Sequence, residues 1–405
     1  MSVRGAQRSE PARRHRPWYA AAAAVFAVGM AGTTLPTPLY GLYRQEIGFS
    51  EFVVTVIFAV YAVGVIAALL IAGGFSDVLG RRPVLFAALG LSVLSGLCFV
   101  FEGGLAPLFL GRLLSGLAAG LLSGAATAAV TELAGPEQRR RAAFAATAAN
   151  MGGLGCGPLL SGVLAQYAPH PLRLPYLVHL GLLAVSCLVV GALPEPVRRP
   201  DPRPPLRPQG MVVPAPVRGA FAPAAPAAFA GFSVLGLFTA VAPAFLAGYL
   251  GEHNLAVTGA VVLSVFLAST AGQLLVEKVG PERALPVGCT VLVAGLVLIG
   301  CALLAQVLAL LVAGGVVCGI GQGLGFRAAV SSVAGAAPEE QRGATISALF
   351  VAAYAGISVP VVGIGALALA LGLRGAGLVF VGFVIVVAGT VAALLYARQG
   401  RRGPG

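Results

Sequence analysis

Lysine is all but missing from this chain: of its 26 basic residues only Lys278 is not an arginine. Charge of either sign is scarce, since Asp, Glu, Lys and Arg make up 10% of the 405 residues. A soluble domain carries about 25% charged and about 45–50% apolar residues. The 58% hydrophobic content and mean hydropathy of +0.93 exclude that class and point to a polytopic membrane protein. Cysteine is sparse too. Cys98, Cys156, Cys187, Cys289, Cys301 and Cys318 all fall inside apolar runs without a CxxC pair. They read as small apolar packing residues, not as disulfide partners or metal ligands. There is no HExxH, no GxSxG, no GxxxxGK[ST] and no clustered acid–histidine constellation. Zinc peptidase, serine hydrolase and ATP-driven chemistry are thereby excluded. We expect no enzyme activity, no catalytic residue, no metal and no cofactor.

What is present is a repeated alternation of long apolar runs and short basic gaps. Twelve helical spans are expected, near 18–41, 51–73, 83–101, 105–133, 142–167, 174–193, 222–250, 256–278, 284–304, 306–333, 343–371 and 375–397. Each is long enough to cross hydrocarbon, which takes about 20 apolar residues in a helix. The net charge of +12 could suggest a nucleic-acid partner, but its placement does not. Only Arg44, Arg173 and Arg374 lie on one side, and Arg112 and Arg327 lie within spans. All other basic residues fall in segments 1–17, 74–82, 134–141, 194–221, 278–283, 334–342 and 398–405. That asymmetry places those segments, and both termini, in the cytoplasm of a cell-membrane protein. The basic start before Ala20 resembles a signal peptide, but the apolar run continues to about Tyr40 and reads as a retained first span.

Residues 194–220 contain nine prolines together with Arg198, Arg199, Arg203, Arg207 and Arg218. That composition buries no apolar surface and reads as an extended linker. The expected organisation is a cytoplasmic tail (1–17), a first six-helix bundle (18–193), a linker (194–221), a second six-helix bundle (222–397) and a second tail (398–405). The halves repeat. Glu137-Gln138-Arg139 after the fourth span matches Glu340-Gln341-Arg342 after the tenth, at an offset of 203 residues. Asp77 to Gly80 after the second span matches Glu277 to Gly280 after the eighth, at an offset of 200. Transporters built from repeats place their substrate site at the repeat interface near the membrane midplane.

The segment between the second and third spans carries Gly73, Asp77, Gly80, Arg81 and Arg82. With this spacing the chain resembles a twelve-helix major facilitator superfamily transporter of the drug:proton antiporter kind. That family's loop signature is G-x-L-a-D-r-x-G-r-[KR]; Phe75 replaces its leucine and Val78 its first arginine. Asp77 can accept hydrogen bonds from a neighbouring helix N-terminus, which in the family belongs to span 11. Arg81 can pair with Asp77 and with a second acid, and Glu132 stands where the family keeps that acid. The resemblance makes this group a cytoplasmic gate that latches the halves; as plain chemistry, Arg81 and Arg82 could merely set topology.

Further residues follow the same resemblance. Arg112, early in the fourth span, matches the family's R-x-x-x-G segment with Gly116, which implies a role in coupling or substrate charge; a snorkelled arginine is the alternative. Gly153, Gly157, Pro158 and Gly162 in the fifth span resemble the antiporter signature G-x-x-x-G-P-x-x-G-G, with Ser161 replacing one glycine. Small residues allow close backbone approach and proline opens the helix ladder. In the family this helix is associated with export. Asn150, His179, Gln322 and Arg327 complete the candidate cavity or coupling residues, each open to a simpler reading as an interhelical hydrogen bond or, for Arg327, snorkelling.

No Asp or Glu occupies the middle third of any span, so a cavity favouring neutral, zwitterionic or anionic substrates over lipophilic cations is expected. The functional expectation is a secondary transporter, exporting a small amphipathic molecule by alternating access. The resemblance implies protons as the coupling ion and a monomer in the lipid bilayer. A solute importer or facilitator of the same fold is the alternative. A membrane sensor or scaffold would normally need a soluble signalling domain, which this chain lacks.

Overall fold

The computed structural model describes residues 18–197, 208 and 210–402. The predicted N-terminal tail, most of the arginine-rich part of the linker and the last residues of the second tail lie outside the described residues. Among the described residues there are helices and turns but no strand. This follows from the solvent: lipid cannot bond backbone amides, so each apolar run closes its own ladder.

In the first half, α1 (Trp18–Thr34) runs through the turn at Pro36 into α2 (Tyr40–Ile47), and α3 (Glu51–Ala72) leads into the short α4 (Phe75–Leu79). Then come α5 (Arg81–Val100), α6 (Leu105–Glu132), α7 (Arg139–Tyr167) and α8 (Leu174–Ala192). The second half comprises α9 (Arg218–Gly236), α10 (Ala242–Gly248), α11 (Leu255–Val279), α12 (Pro281–Ala305), α13 (Leu308–Ala336) and α14 (Arg342–Arg402). With α1 joined to α2 and α9 to α10 through their turns, the described residues form ten segments long and apolar enough to cross a membrane. One of the ten, Glu339–Arg401, is broken at Gly372, whose φ of 70° interrupts the helix. The 29-residue α7 is held to lower hydropathy by its arginines and glycines. The twelve expected spans are consistent with this set.

Three boundaries differ from expectation. The first span continues to Ile47, because Pro36 bends the chain without ending it and Gly48 terminates it at φ 81°. Arg81 and Arg82 sit in the first turn of α5, not in a loop. Helix α9 begins at Arg218, inside the stretch expected to be linker, and carries Pro223 and Pro226 within it. Near its end a π-helical turn covers Leu237–Val241. The cysteines also divide. Cys289 and Cys318 are packed inside, whereas Cys156 and Cys301 are exposed, so packing does not account for those two.

The repeat is visible in geometry. The two Glu-Gln-Arg segments form matching 3-10 turns, in which Gln138 N–H donates to Gly135 carbonyl at 2.9 Å and Gln341 N–H to Pro338 carbonyl at 3.0 Å. Gly80 and Gly280 break the chain at φ 100° and 88°, a region open to glycine without a Cβ penalty. Within the first half α1 packs on α6 and α7, and α5 on α6 and α8; within the second, α13 packs on α9, α11 and α12. The halves meet along α7 against α11 and α3 against α14.

Candidate functional site

At the arginine-rich end of the first bundle, Arg81 is the organising group. Its side chain is only 9% exposed and every polar nitrogen has a partner. Nε and Nη2 donate to the two oxygens of Glu132 at 2.9 and 2.6 Å, and Nη1 donates to Asp77 and Ser76, each at 2.6 Å. The fork-to-fork geometry with Glu132 is the strong, directional kind of ion pair. A residue that the sequence reading missed completes the group. Glu195, just past α8, accepts the backbone N–H groups of Arg81 and Arg82 at 2.8 and 3.0 Å. The Arg82 guanidinium reaches back to the carbonyls of Val190 and Gly191 at 3.1 and 2.6 Å. Each helix end therefore carries the charge that its unsatisfied backbone groups favour: a carboxylate at the N-terminus of α5 and a guanidinium at the C-terminus of α8. Gly80 leaves the room, since a Cβ there would stand 2.7 Å from a Glu195 oxygen. The Pro194-Glu195-Pro196 sequence was a signal for it, one of two acids in a basic linker and the one next to the helix end.

This group ties α4, α5, α6 and α8 within one bundle. Among the described residues Asp77 makes no hydrogen bond to α14, the expected partner. Instead Glu277, the repeat counterpart of Asp77, crosses between the bundles and accepts from Arg140 of α7 at 2.7 Å.

The glycine–proline stretch of α7 is two-sided. Gly153 and Gly157 lie against Ala27 and Ala31 of α1, where a Cβ would meet backbone carbonyls; Gly155 and Gly162 lie against Leu263 and Leu255 of α11. Gly259 of α11 in turn rests on the Pro158 carbonyl. Pro158 has no N–H, so Leu154 carbonyl loses its helical partner. Thr34 Oγ1 donates to that carbonyl at 2.7 Å and restores the bond across helices. The motif thus joins α7 to its own bundle on one side and to the other bundle on the opposite side.

Two cavities lie between the bundles. A central one of about 70 Å³ is walled by Phe58 and Tyr61 of α3, Phe232 of α9, Phe326 of α13, and Phe350 and Tyr354 of α14. Their rings form a continuous chain: Phe58–Tyr61 6.3 Å, Tyr61–Tyr354 6.3 Å, Tyr354–Phe232 5.7 Å, Phe232–Phe326 4.9 Å and Phe326–Phe350 5.5 Å between centroids. Among the described residues no Asp, Glu, Lys, Arg or His lines this cavity; its polar groups are Thr33, Thr34, Ser123, Asn150, Thr239 and the tyrosine hydroxyls. Asn150 Oδ1 has no hydrogen-bond partner among the described residues. The second cavity, about 360 Å³, opens at the end remote from Arg81, among Tyr40, Arg44, Thr55, Glu252, His253 and Leu373. Thr55 and Phe58 are one turn apart on α3, so the central cavity lies one helical turn below this vestibule.

Residues 20–300 match the Major Facilitator Superfamily. The chain belongs to this superfamily. Part of the transporter also resembles two tetracycline resistance proteins. It is 31% identical to the class D protein of Salmonella ordonez over 150 residues, which is 37% of each chain. It is 33% identical to the class B protein of Escherichia coli over 164 residues, 40% of this chain and 39% of that one. The matched stretch thus spans less than half of either relative. Among solved structures, the human organic anion transporter MFSD10 superposes with a TM-score of 0.69 at 17% identity, covering 94% of this chain and 100% of that one. A bacterial homologue of the human lysosomal transporter Spinster gives 0.69 at 15% identity, with 95% and 98% covered. Those two establish the fold. Membership of the superfamily makes the protein a transporter and not an enzyme.

The remaining candidates of the transporter separate. Arg112 is 1% exposed and sits inside the first bundle, not at a surface where it could snorkel. Its Nη1 donates to the Thr33 carbonyl at 2.5 Å, while Nε and Nη2 have no partner among the described residues. Its guanidinium carbon lies 5.2 Å from the Phe58 ring centroid and 4.9 Å from that of Tyr61. Arg112 itself is absent from the cavity wall. His179 is buried in the first bundle with Nε2 3.0 Å from the Val28 carbonyl, in space left by Gly32. Gln322 is buried in the second bundle, where Oε1 accepts from Ser269 Oγ at 2.6 Å and Nε2 has no partner among the described residues. Arg327 is exposed on α13 and lines neither cavity. Of the five sequence candidates for the cavity, only Asn150 lines it. The aromatic wall was missed, because single Phe and Tyr residues on apolar runs carry no local mark.

Proposed function

We propose that this transporter exports a small amphipathic molecule from the cytoplasm by proton antiport with alternating access. The observation that carries the reading is the uncharged aromatic cavity at the interface of the two bundles. It is one turn below an open vestibule and on the far side from the Arg81 group. On this reading the vestibule faces the outside, the arginine-rich face and both termini are cytoplasmic, and the protein works as a monomer in the cell membrane. Two further features support export: the two-sided Gly153–Gly162 stretch with Pro158, and the partial similarity to tetracycline resistance proteins. The Arg81–Asp77–Glu132 group acts as a rigid cap that keeps α4, α5 and α6 together as the bundle moves. The Arg140–Glu277 pair is the ion pair at the arginine-rich end that opens and closes between the halves.

The test is transport in proteoliposomes holding purified protein, with an imposed pH gradient and a panel of amphipathic compounds. Uphill movement of a compound against proton flow, abolished by a protonophore, is the expected result. Flux that runs only down the compound's own gradient and ignores the pH gradient would replace export with facilitated diffusion.

A further inference from the structure

Resting on the reading of the central cavity as the substrate site, we infer that Arg112 is a charge filter acting through the ring wall, which makes the site selective for anionic or neutral aromatic ligands against cationic ones. An aromatic cage with no charged group is ordinarily a good receptor for cations, because ring faces carry negative potential. Here two of those faces are already taken. The Arg112 guanidinium lies over both Phe58 and Tyr61, at 5.2 and 4.9 Å from their centroids, while both rings line the cavity and Arg112 does not. Arginine stays protonated in a protein interior. No carboxylate pairs with Arg112 among the described residues; its one hydrogen-bond partner there is a backbone carbonyl, and Nε and Nη2 have none. The positive charge is therefore held, buried and without a carboxylate partner among the described residues, directly behind the wall.

A ligand ring stacked on the cavity side of Phe58 or Tyr61 places its own charge about 9 Å from that guanidinium. At an effective dielectric of about 20, a unit charge at this separation changes affinity by about twentyfold, in favour of an anion and against a cation. The two ions differ in sign but pay similar desolvation on entering, so comparing them isolates the filter from burial. Asn150 Oδ1 of α7, without a partner among the described residues, offers one acceptor for a ligand hydroxyl or amide.

The experiment uses detergent-purified full-length protein and three tricyclic fluorescent probes of one shape: anthracene carboxylate, hydroxymethylanthracene and aminomethylanthracene at a pH where the amine is protonated. Saturable quenching gives the affinity of each. The carboxylate is expected to bind at least tenfold more tightly than the ammonium. In Arg112→Gln that ratio falls to near one, and in Arg112→Lys, which keeps the charge, it survives. Equal binding of the two ions by the wild type overturns the filter, as does failure of all three probes to bind. So does an Arg112→Gln protein in which all three weaken together with the ratio intact, the signature of a purely structural arginine. Where Arg112→Gln fails to fold, the wild-type ratio and Arg112→Lys decide. Proton-driven export with no charge discrimination would remove the filter and leave the proposed function standing.

Discussion

Glu132, not the signature aspartate, should be the acid on which the Arg81 group depends. Both carboxylates contact Arg81, and the loop signature draws attention to Asp77. The geometry ranks them otherwise. Asp77 offers one oxygen at 2.6 Å and is 66% exposed, so water competes for it and screens the charge. Glu132 offers both oxygens, at 2.6 and 2.9 Å, and is 37% exposed against an arginine that is 9% exposed. An exposed pair contributes about 0–1 kcal/mol. Removing one partner of a buried pair costs about 3–5 kcal/mol, and the partial exposure of Glu132 lowers this to about 1.5–3. In Glu132→Gln the amide keeps one oxygen acceptor and turns its NH₂ group toward the guanidinium. We therefore expect Asp77→Asn to change the unfolding free energy in detergent by up to about 1 kcal/mol and Glu132→Gln by about 1.5–3 kcal/mol. Both variants should still insert. A double-mutant cycle of Arg81→Gln with Glu132→Gln should return a coupling of about 1–3 kcal/mol. The assay is chemical denaturation followed by fluorescence of a cysteine-reactive dye, run beside proton-driven flux. An Asp77→Asn protein as unstable as Glu132→Gln, or a cycle that is additive, refutes the ranking.

Other outcomes follow from the same geometry. Thr34→Val strands the Leu154 carbonyl and should destabilise by about 1–3 kcal/mol; adding Pro158→Ala supplies a helical N–H and should recover part of the loss, seen as a rise in melting temperature over the single variant. Glu195→Ala removes the acceptor from the first turn of α5 and should cost about 0.5–2 kcal/mol, read as faster amide exchange at Arg81 and Arg82. Burial holds the Glu102 carboxyl, in the turn before α6, above its usual value, with Glu46 adding to the shift and Arg173 opposing it. A folded-state value above the unfolded one gives stability that is fully present at low pH and lost as pH rises through the folded value. Glu102→Gln should therefore raise the melting temperature at pH 7, and the gain should fade as pH falls below about 4, the unfolded carboxylate value; a gain that persists at low pH would exclude titration as its cause.

Much of the architecture was legible in the sequence because the membrane imposes its constraint residue by residue. Each stretch that crosses lipid must be apolar over its whole length and must satisfy its own backbone, so span positions, the scarcity of charge and the Arg-rich gaps all read directly. The repeat was legible for a similar reason: short polar turns such as Pro136–Gln138 and Glu339–Gln341 stand out against apolar flanks. Local motifs also marked where Arg81 finds Asp77, since the two are four residues apart. What the tertiary structure decided is which distant groups share a space. Phe58, Phe232, Phe326 and Tyr354 come from four helices and meet only when the bundles pack. Glu195 reaches α5 across 114 residues of chain. Arg112 looked like a cavity or surface charge by position alone, yet it lies behind the cavity wall, because helix rotation about its axis decides which way a side chain points and no apolar pattern on a lipid-embedded helix reports that rotation. Sequence by itself determined that this chain is a helical, multi-span transporter-like protein with no acid in the middle of any expected span; packing determined that an aromatic chamber lies between the bundles with a buried positive charge at its back.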